Sequence, residues 1–260
     1  MKRICFDEIA AHKGHGSYRL VISAPELGIV LDVLSDRKKE TLEAWFSARG
    51  KAWCAAVESY CADMWDAYHG AAQDYLPNAT PVVDRFHVMK NLNDALSKTR
   101  RKAQKKLAEV DLKAMKGIRW LLVRNRDELT DEQRQQLDAM LAHAPELTTC
   151  YELKESFRAL LNSDLTWEAA WSKLDEWMQL ARGTGFSAMK AFADTLNHWR
   201  VAILNYFVDR VNNGFAEGVN NKIKLILRRA FGYPTFKSLR LHILVAFQPE
   251  SQEDVMSVSR

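Results

Sequence analysis

The chain lacks the features that a membrane-spanning or disulfide-stapled protein needs. No apolar run approaches the roughly 18 residues that suggest a membrane span. The opening MKRICFDEIA is polar where a signal peptide would be hydrophobic. Cys5, Cys54, Cys61 and Cys150 form no C-x-x-C pair. Neither a zinc site nor a disulfide framework is therefore expected, and a cytoplasmic location without a membrane partner fits. Internal repeats and low-complexity tracts are also missing, which argues against a solenoid or a linker-like chain.

What is present describes a globular protein. The 260 residues are 47% hydrophobic and 27% charged, enough for one large domain or one domain with a sizeable insertion. The net charge of +4 is modest, but it is unevenly spread. Between Arg85 and Arg124 there are 12 Lys and Arg against three acids, a local excess of 12 − 3 = +9. From Glu217 to His242 six basic residues face Glu217 alone, an excess of 6 − 1 = +5. Clusters of this kind are the electrostatic footprint of a polyphosphate partner, and equally the pattern of a solvated helix face.

Strand-like segments fill the first third. RICFDEI (3–9), YRLVIS (18–23) and GIVLDVL (28–34) read as a strand and its hairpin partners, with a basic, flexible loop over His12–Gly16. A helix over 37–49, a strand over 57–62, a helix over 64–75 and a last strand at 81–83 follow. The order β-β-β-α-β-α-β is that of an RNase H-like α/β mixed sheet. After His87 the pattern becomes helical, beginning with a long basic helix over 88–108. The expected organisation is a first core segment (1–87), an all-helical insertion (88–210), helices that complete the core (211–248) and a tail (249–260). Trp167, Trp171 and Trp177 lie near helical spacing within the insertion, suited to core packing or to a base-stacking wedge.

Asp7 falls at the end of the first predicted strand and Asp63 just past the fourth. Functional side chains in an open α/β sheet gather at strand ends. Two neighbouring carboxylates repel unless a cation neutralises them, and hard oxygen ligands suit Mg²⁺ or Mn²⁺. Each has a plainer reading as well: Asp63 with Asp66 as a helix start, Asp7 with Glu8 as a strand end meeting water. Glu217 shares a polar helix stripe with Asn221, Lys224 and Arg228, opposite an apolar stripe of Val219, Ile223, Ile226 and Ala230. That pattern fits a carboxylate beside a phosphate-bearing ligand, and also an amphipathic surface helix.

Two segments carry a more specific signal. Asp84-Arg85-Phe86-His87, followed by Val88-Met89-Lys90-Asn91-Leu92-Asn93, resembles the DRFH segment of bacterial insertion-sequence transposases of the ISL-three group. Asn213-Gly214-Phe215-Ala216-Glu217-Gly218-Val219-Asn220-Asn221-Lys222-Ile223-Lys224 resembles that group's N-G-x-x-E-G-x-N-N-K-I-K segment. Arg228 to Tyr233, Phe236 and the start at Phe6-Asp7-Glu8 with Lys13-Gly14-His15 and Tyr18 extend the likeness from about residue 4 to about residue 247.

The resemblance implies an RNase H-like fold and Asp-Asp-Glu chemistry, with Asp7, Asp63 and Glu217 holding two Mg²⁺ or Mn²⁺ ions for DNA strand cleavage and transfer. Asp84 rivals Asp63 as the second aspartate. With His87 it matches a D-x-x-H signature that braces the site or contacts DNA, while His87 also fits a hydrogen-bonded core histidine. Asn221 is expected to support the site. Arg100, Arg101, Lys102, Lys105, Lys106, Lys222, Lys224, Arg228 and Arg229 are expected to bind backbone phosphates of double-stranded DNA, at transposon ends and target. A homo-oligomer on nucleoid DNA follows from the same resemblance. Family members usually begin with a zinc-binding and helix-turn-helix region, which has no counterpart here. Two other readings stay open: a silent DNA-binding remnant, and an RNase H-like nuclease without strand transfer.

Overall fold

The computed structural model describes residues 2–10, 17–210, 214–230 and 232–248. The loop over 12–16, the tail over 249–260, Asn213 and Phe231 lie outside the described residues. The chain divides into two compact units, residues 1–84 with 211–260, and residues 85–210.

The first unit is built on a five-stranded mixed sheet with strand order β3-β2-β1-β4-β5. Its strands are β1 (Arg3–Ala10), β2 (Tyr18–Ala24), β3 (Ile29–Leu34), β4 (Ser59–Ala62) and β5 (Thr80–Val83). β1, β2 and β3 pair antiparallel, while β1–β4 and β4–β5 are parallel. The parallel pairs need crossovers, supplied by α1 (Lys39–Arg49), α2 (Lys51–Ala55) and α3 (Asp66–Tyr75). The β2–β3 turn closes through a short 3₁₀ segment, Pro25–Leu27, and Gly28 at φ 67°, a left-handed geometry that suits glycine. This is the RNase H-like mixed α/β arrangement expected from the order of elements.

Alternation along the strands sends side chains to two cores. On one face Ile4, Phe6, Leu20, Ile22 and Tyr60 pack against Leu42 and Phe46 of α1 and Tyr68 of α3. The Phe6 ring lies 6.2 Å from Phe46 and 6.1 Å from Tyr68. Each such side chain, fully buried, contributes about 1.5–3 kcal/mol. On the other face Ile9, Val21 and Val33 meet Val219 and Ile223 of α13 (Gly214–Arg229), and Leu239 and Ile243 of α14 (Phe236–Ala246).

A buried carboxylate ties α14 to the sheet. Asp32 of β3 accepts two bonds from Arg240, at 2.6 and 2.9 Å, and one from the Trp45 indole at 2.9 Å.

The second unit is all helical among its described residues. α4 (Arg85–Gln104) is followed by α5 (Glu109–Ala114), α6 (Ile118–Val123), α7 (Asp131–Leu141), α8 (Pro145–Asn162), α9 (Trp167–Gly183) and α10 (Ser187–His198). Two short helices, α11 (Arg200–Leu204) and α12 (Tyr206–Asp209), close it. α4 packs on α8 and α10, and α9 on the same two. Trp177 is in this core, 4.9 Å from Phe157 and 5.7 Å from Phe192, donating its indole N–H to the Leu153 carbonyl at 2.8 Å. Thr130 and Gln133 form a capping box on α7, and Thr166 caps α9.

Several boundaries differ from the sequence reading: the helix expected from 37 starts at Lys39 and the strand expected from 57 at Ser59, and two further shifts have a visible cause. The single helix expected over 88–108 starts at Arg85 and stops at Gln104. Its end coincides with like charges four apart, Arg101 with Lys105 and Lys102 with Lys106, which oppose helix continuation. The helix expected from Met64 starts at Asp66, because the Asp63 carboxylate takes the Met64 N–H at 2.6 Å and its carbonyl takes the Trp65 N–H at 2.8 Å. Asp63 is thus not the helix cap.

Candidate active site

Asp63 and Asp84 directly follow β4 and β5, whereas Asp7, expected at a strand end, lies inside β1, which runs on to Ala10 beside β2. β1 and β4 are paired with Cys5 opposite Cys61, and β4 and β5 with Ala62 opposite Val83. Continuing the first register by two residues sets Asp7 alongside Asp63; continuing the second by one sets Asp63 alongside Asp84. The Asp84 N–H donates to the Ala62 carbonyl at 2.9 Å, so hydrogen bonding does reach that far. Residues two apart share a face. All three carboxylates therefore belong to the face of Cys5 and Cys61, the one that α13 and α14 pack against.

Cys61 registers their field. Its buried thiol is held well above its ordinary pKa, first by a hydrogen bond with Cys5 and by burial, then by the charges of Cys5, Asp84 and Asp7. Carboxylates from two different strands thus act on one sulfur.

Local bonds fix the carboxylates. Asp7 Oδ1 accepts the Glu8 N–H at 2.7 Å. The Asp63 carbonyl is 3.1 Å from His69 Nε2, and His69 Nδ1 is 3.1 Å from the Tyr60 hydroxyl. A carbonyl only accepts, so Nε2 carries the proton and Nδ1 accepts from Tyr60. Burial raises the Tyr60 pKa, keeping that hydroxyl a donor. Asp63 is half-buried, whereas Asp84 is only 4% exposed.

The other side of the site comes from α13. Asn220, 7% exposed, donates from Nδ2 to Asp7 Oδ2 at 2.7 Å, while its Oδ1 is buried without a hydrogen-bond partner. Glu217 lies one turn earlier on the same helix and is exposed. Among the described residues no three His, Cys, Asp or Glu side chains close into a metal-holding cluster. The donor set nevertheless fits a hard cation: carboxylate oxygens in a row, with an orphaned amide oxygen beside them.

Other expected residues are more scattered. Asn221 is exposed, and the asparagine that reaches Asp7 is its neighbour Asn220. The signal for Asn220 was available, because it falls next to Val219 on the buried arc of the helix. His87 is in the first turn of α4, in the helical unit, with its ring edge-on to Phe86 at 5.4 Å. Lys222 donates to the Ala246 carbonyl, 4.5 Å above the Phe247 ring, and so caps α14. Lys224, Arg228 and Arg229 are exposed, as are Arg101, Lys102, Lys105 and Lys106.

Sequence reasoning missed a second group beside Asp7, on the opposite face. Glu8 accepts from Arg37 at 3.1 Å and from the Tyr68 hydroxyl at 2.7 Å. Arg37 also stacks on Tyr18 and Trp65, at 4.7 and 4.6 Å.

A family model described as a transposase, that of the ISL-three group, matches residues 4–243. The chain belongs to this transposase family. The matched span includes Asp7, Asp63, Asp84 and Glu217. A relative named as the transposase for insertion sequence element IS1001, from Bordetella parapertussis, is 32% identical over 249 residues. That alignment covers 94% of this chain and 60% of the relative. The transposase for element IS1557 of Mycobacterium tuberculosis is 27% identical over 262 residues, covering 92% of this chain and 58% of the relative. The chain thus spans about three fifths of the length of these relatives. No solved structure matches.

Proposed function

We propose that this chain is the catalytic part of a DNA transposase, in which Asp7, Asp63 and Glu217 bind divalent metal, Mg²⁺ or Mn²⁺, at double-stranded DNA ends. The row of Asp7, Asp63 and Asp84 across three parallel strands, met by Asn220 from α13, carries the reading. Family membership and the names of the relatives support it.

Asp7 is the central ligand. Hydrogen bonds from the Glu8 N–H and from Asn220 Nδ2 hold its two oxygens in place. Asp63 is the second carboxylate in preference to Asp84, because it is half-buried and accessible, whereas Asp84 is enclosed beside Cys61 and braces the row. Glu217, exposed one turn before Asn220, is the third. Bound ions, two in the arrangement the family implies, supply charge that polarises the scissile phosphate and favours deprotonation of the attacking hydroxyl. Asn220 orients Asp7, and exposed cations such as Arg228 and Arg229 hold the backbone phosphates. The reaction takes place in the cytoplasm, on nucleoid DNA, by an oligomer of the chain.

Asp7→Asn, Asp63→Asn or Glu217→Gln is expected to lower Mg²⁺- or Mn²⁺-dependent strand cleavage by about a thousandfold, on the order of 4 kcal/mol, while DNA binding persists. Cleavage at the unaltered rate by any of them removes that residue from the site. A silent DNA-binding remnant is the second reading, favoured by the absence of a three-acid cluster among the described residues. Binding without cleavage in Mn²⁺ by the unaltered chain establishes it. Cleavage without joining of precleaved ends to a target establishes a nuclease instead.

A further inference from the structure

The helical unit contains a cavity of about 370 Å³ between the end of α4 and the α5–α6 segment. Four cations line it, Arg100, Lys113, Lys116 and Arg119, with one acid, Glu109. Glu109 is already engaged with Lys113 at 2.8 Å. Arg100 is held from one side by Gln104, whose Oε1 accepts from Nη1 at 2.6 Å, while its Nε is buried without a partner. Among the described residues no carboxylate pairs with Arg100, Lys116 or Arg119.

Nearby cations outside the lining are differently placed: Lys102 is bonded to Ser187, and Lys106 to Glu146. Around the cavity only Lys113 has a carboxylate partner among the described residues, and the net charge of the lining is 4 − 1 = +3. Buried Met115 and Ile118 also line it, lowering the local dielectric and strengthening the repulsion. The Arg100 guanidinium is shifted downward by burial, then by the like charges of Arg119 and Arg101. An anion relieves all of these at once. Beside the cavity Trp120 is 67% exposed, with the Arg119 guanidinium 5.2 Å above its ring.

We propose that this cavity seats a phosphodiester of a DNA strand on Arg100, Lys116 and Arg119, with Trp120 stacking on an adjacent unpaired base. The inference rests on the DNA-acting function proposed above. An arginine fork suits a phosphate's paired oxygens, and an exposed indole suits the face of any base.

The test uses the full chain and the fluorescence anisotropy of labelled single-stranded and duplex DNA across a salt series. The double variant Arg100→Gln/Arg119→Gln is expected to bind about tenfold more weakly, with a log–log salt slope shallower by about one for each phosphate no longer neutralised. The single variant Lys116→Gln changes only an exposed side chain and is expected to shift the slope in the same direction. Trp120→Ala is expected to weaken binding of the single strand about fivefold, and of the duplex less. Lys173→Gln/Lys190→Gln removes two charges elsewhere on the unit and serves as the control.

Equal losses in the control and in the cavity variants, or an unchanged slope in both cavity variants, overturn the proposal. Binding of labelled polyglutamate that is lost in Arg100→Gln/Arg119→Gln, while that variant binds DNA as the unaltered chain does, gives the cavity to an acidic protein and also overturns it. Strand cleavage measured on the same preparations separates the two readings. Cleavage by the unaltered chain with no contribution of the cavity to binding removes the cavity alone. Cavity-dependent binding without cleavage removes the enzymatic reading alone.

Discussion

The sheet unit and the helical unit solve different problems with different residues. In the sheet unit, strand pairing dictates neighbours: Cys5 faces Cys61, and the same register carried on by two residues leads Asp7 toward Asp63. In the helical unit no ladder fixes neighbours, and position depends on side-chain packing, as around Trp177, Phe157 and Phe192. Charge follows the same division. Acids from separate strands are brought together on one face of the sheet, whereas cations from one stretch of chain surround the cavity of the helical unit. Backbone geometry can force like charges together and leave a cation to neutralise them.

Substitutions in each unit test that contrast. The largest effect on stability is expected from Trp177→Ala, about 3–5 kcal/mol, through lost ring packing and an unpaired Leu153 carbonyl. Chemical denaturation followed by circular dichroism reads it, and hydrogen exchange confines the loss to residues 85–210. Asp32→Ala is expected to cost about 2–3 kcal/mol, because the Trp45 indole N–H and Arg240 lose their acceptor and α14 loosens from β3. Protection of β3 amides, but not of α8 amides, should fall in proportion. Asn220→Ala is expected to reduce metal-dependent cleavage about 10–100-fold with little change in stability, because it frees the Asp7 carboxylate rather than removing it. A titration with Mn²⁺ shows whether the loss lies in metal affinity. The smallest effect is expected from Thr130→Ala, about 1 kcal/mol, which opens the capping box of α7; a shift of the denaturation midpoint measures it. Equal exchange responses in the two units to Trp177→Ala and Asp32→Ala would erase the distinction drawn above.

Much of this was legible in the sequence, for reasons specific to each element. The strands could be read because Ile4, Phe6, Leu20 and Ile22 recur with period two, and the order of elements then set the sheet. Asp7, Asp63 and Glu217 stood out through strand-end positions and family-like segments. Less legible was which asparagine turns inward. Asn220 and Asn221 are adjacent, and a rotation of 100° per residue separates the buried amide bonded to Asp7 from an exposed one. The end of α4 was hidden because like-charge repulsion competes with good helix-forming residues. Arg240 and Asp32, 208 residues apart, could be paired only by the fold.

The interruption of the sheet unit by the helical one has a consequence for synthesis. After Asp84, ribosomes must add 210 − 84 = 126 residues before Val211 appears. At 5–20 residues per second that interval is roughly 6–25 seconds. Throughout it, Ile9, Val21 and Val33 have not yet received the helix that covers them, and Glu217 has not been made. On the reading proposed above, strand cleavage therefore arises only once synthesis has passed Glu217, long after both aspartates have left the ribosome.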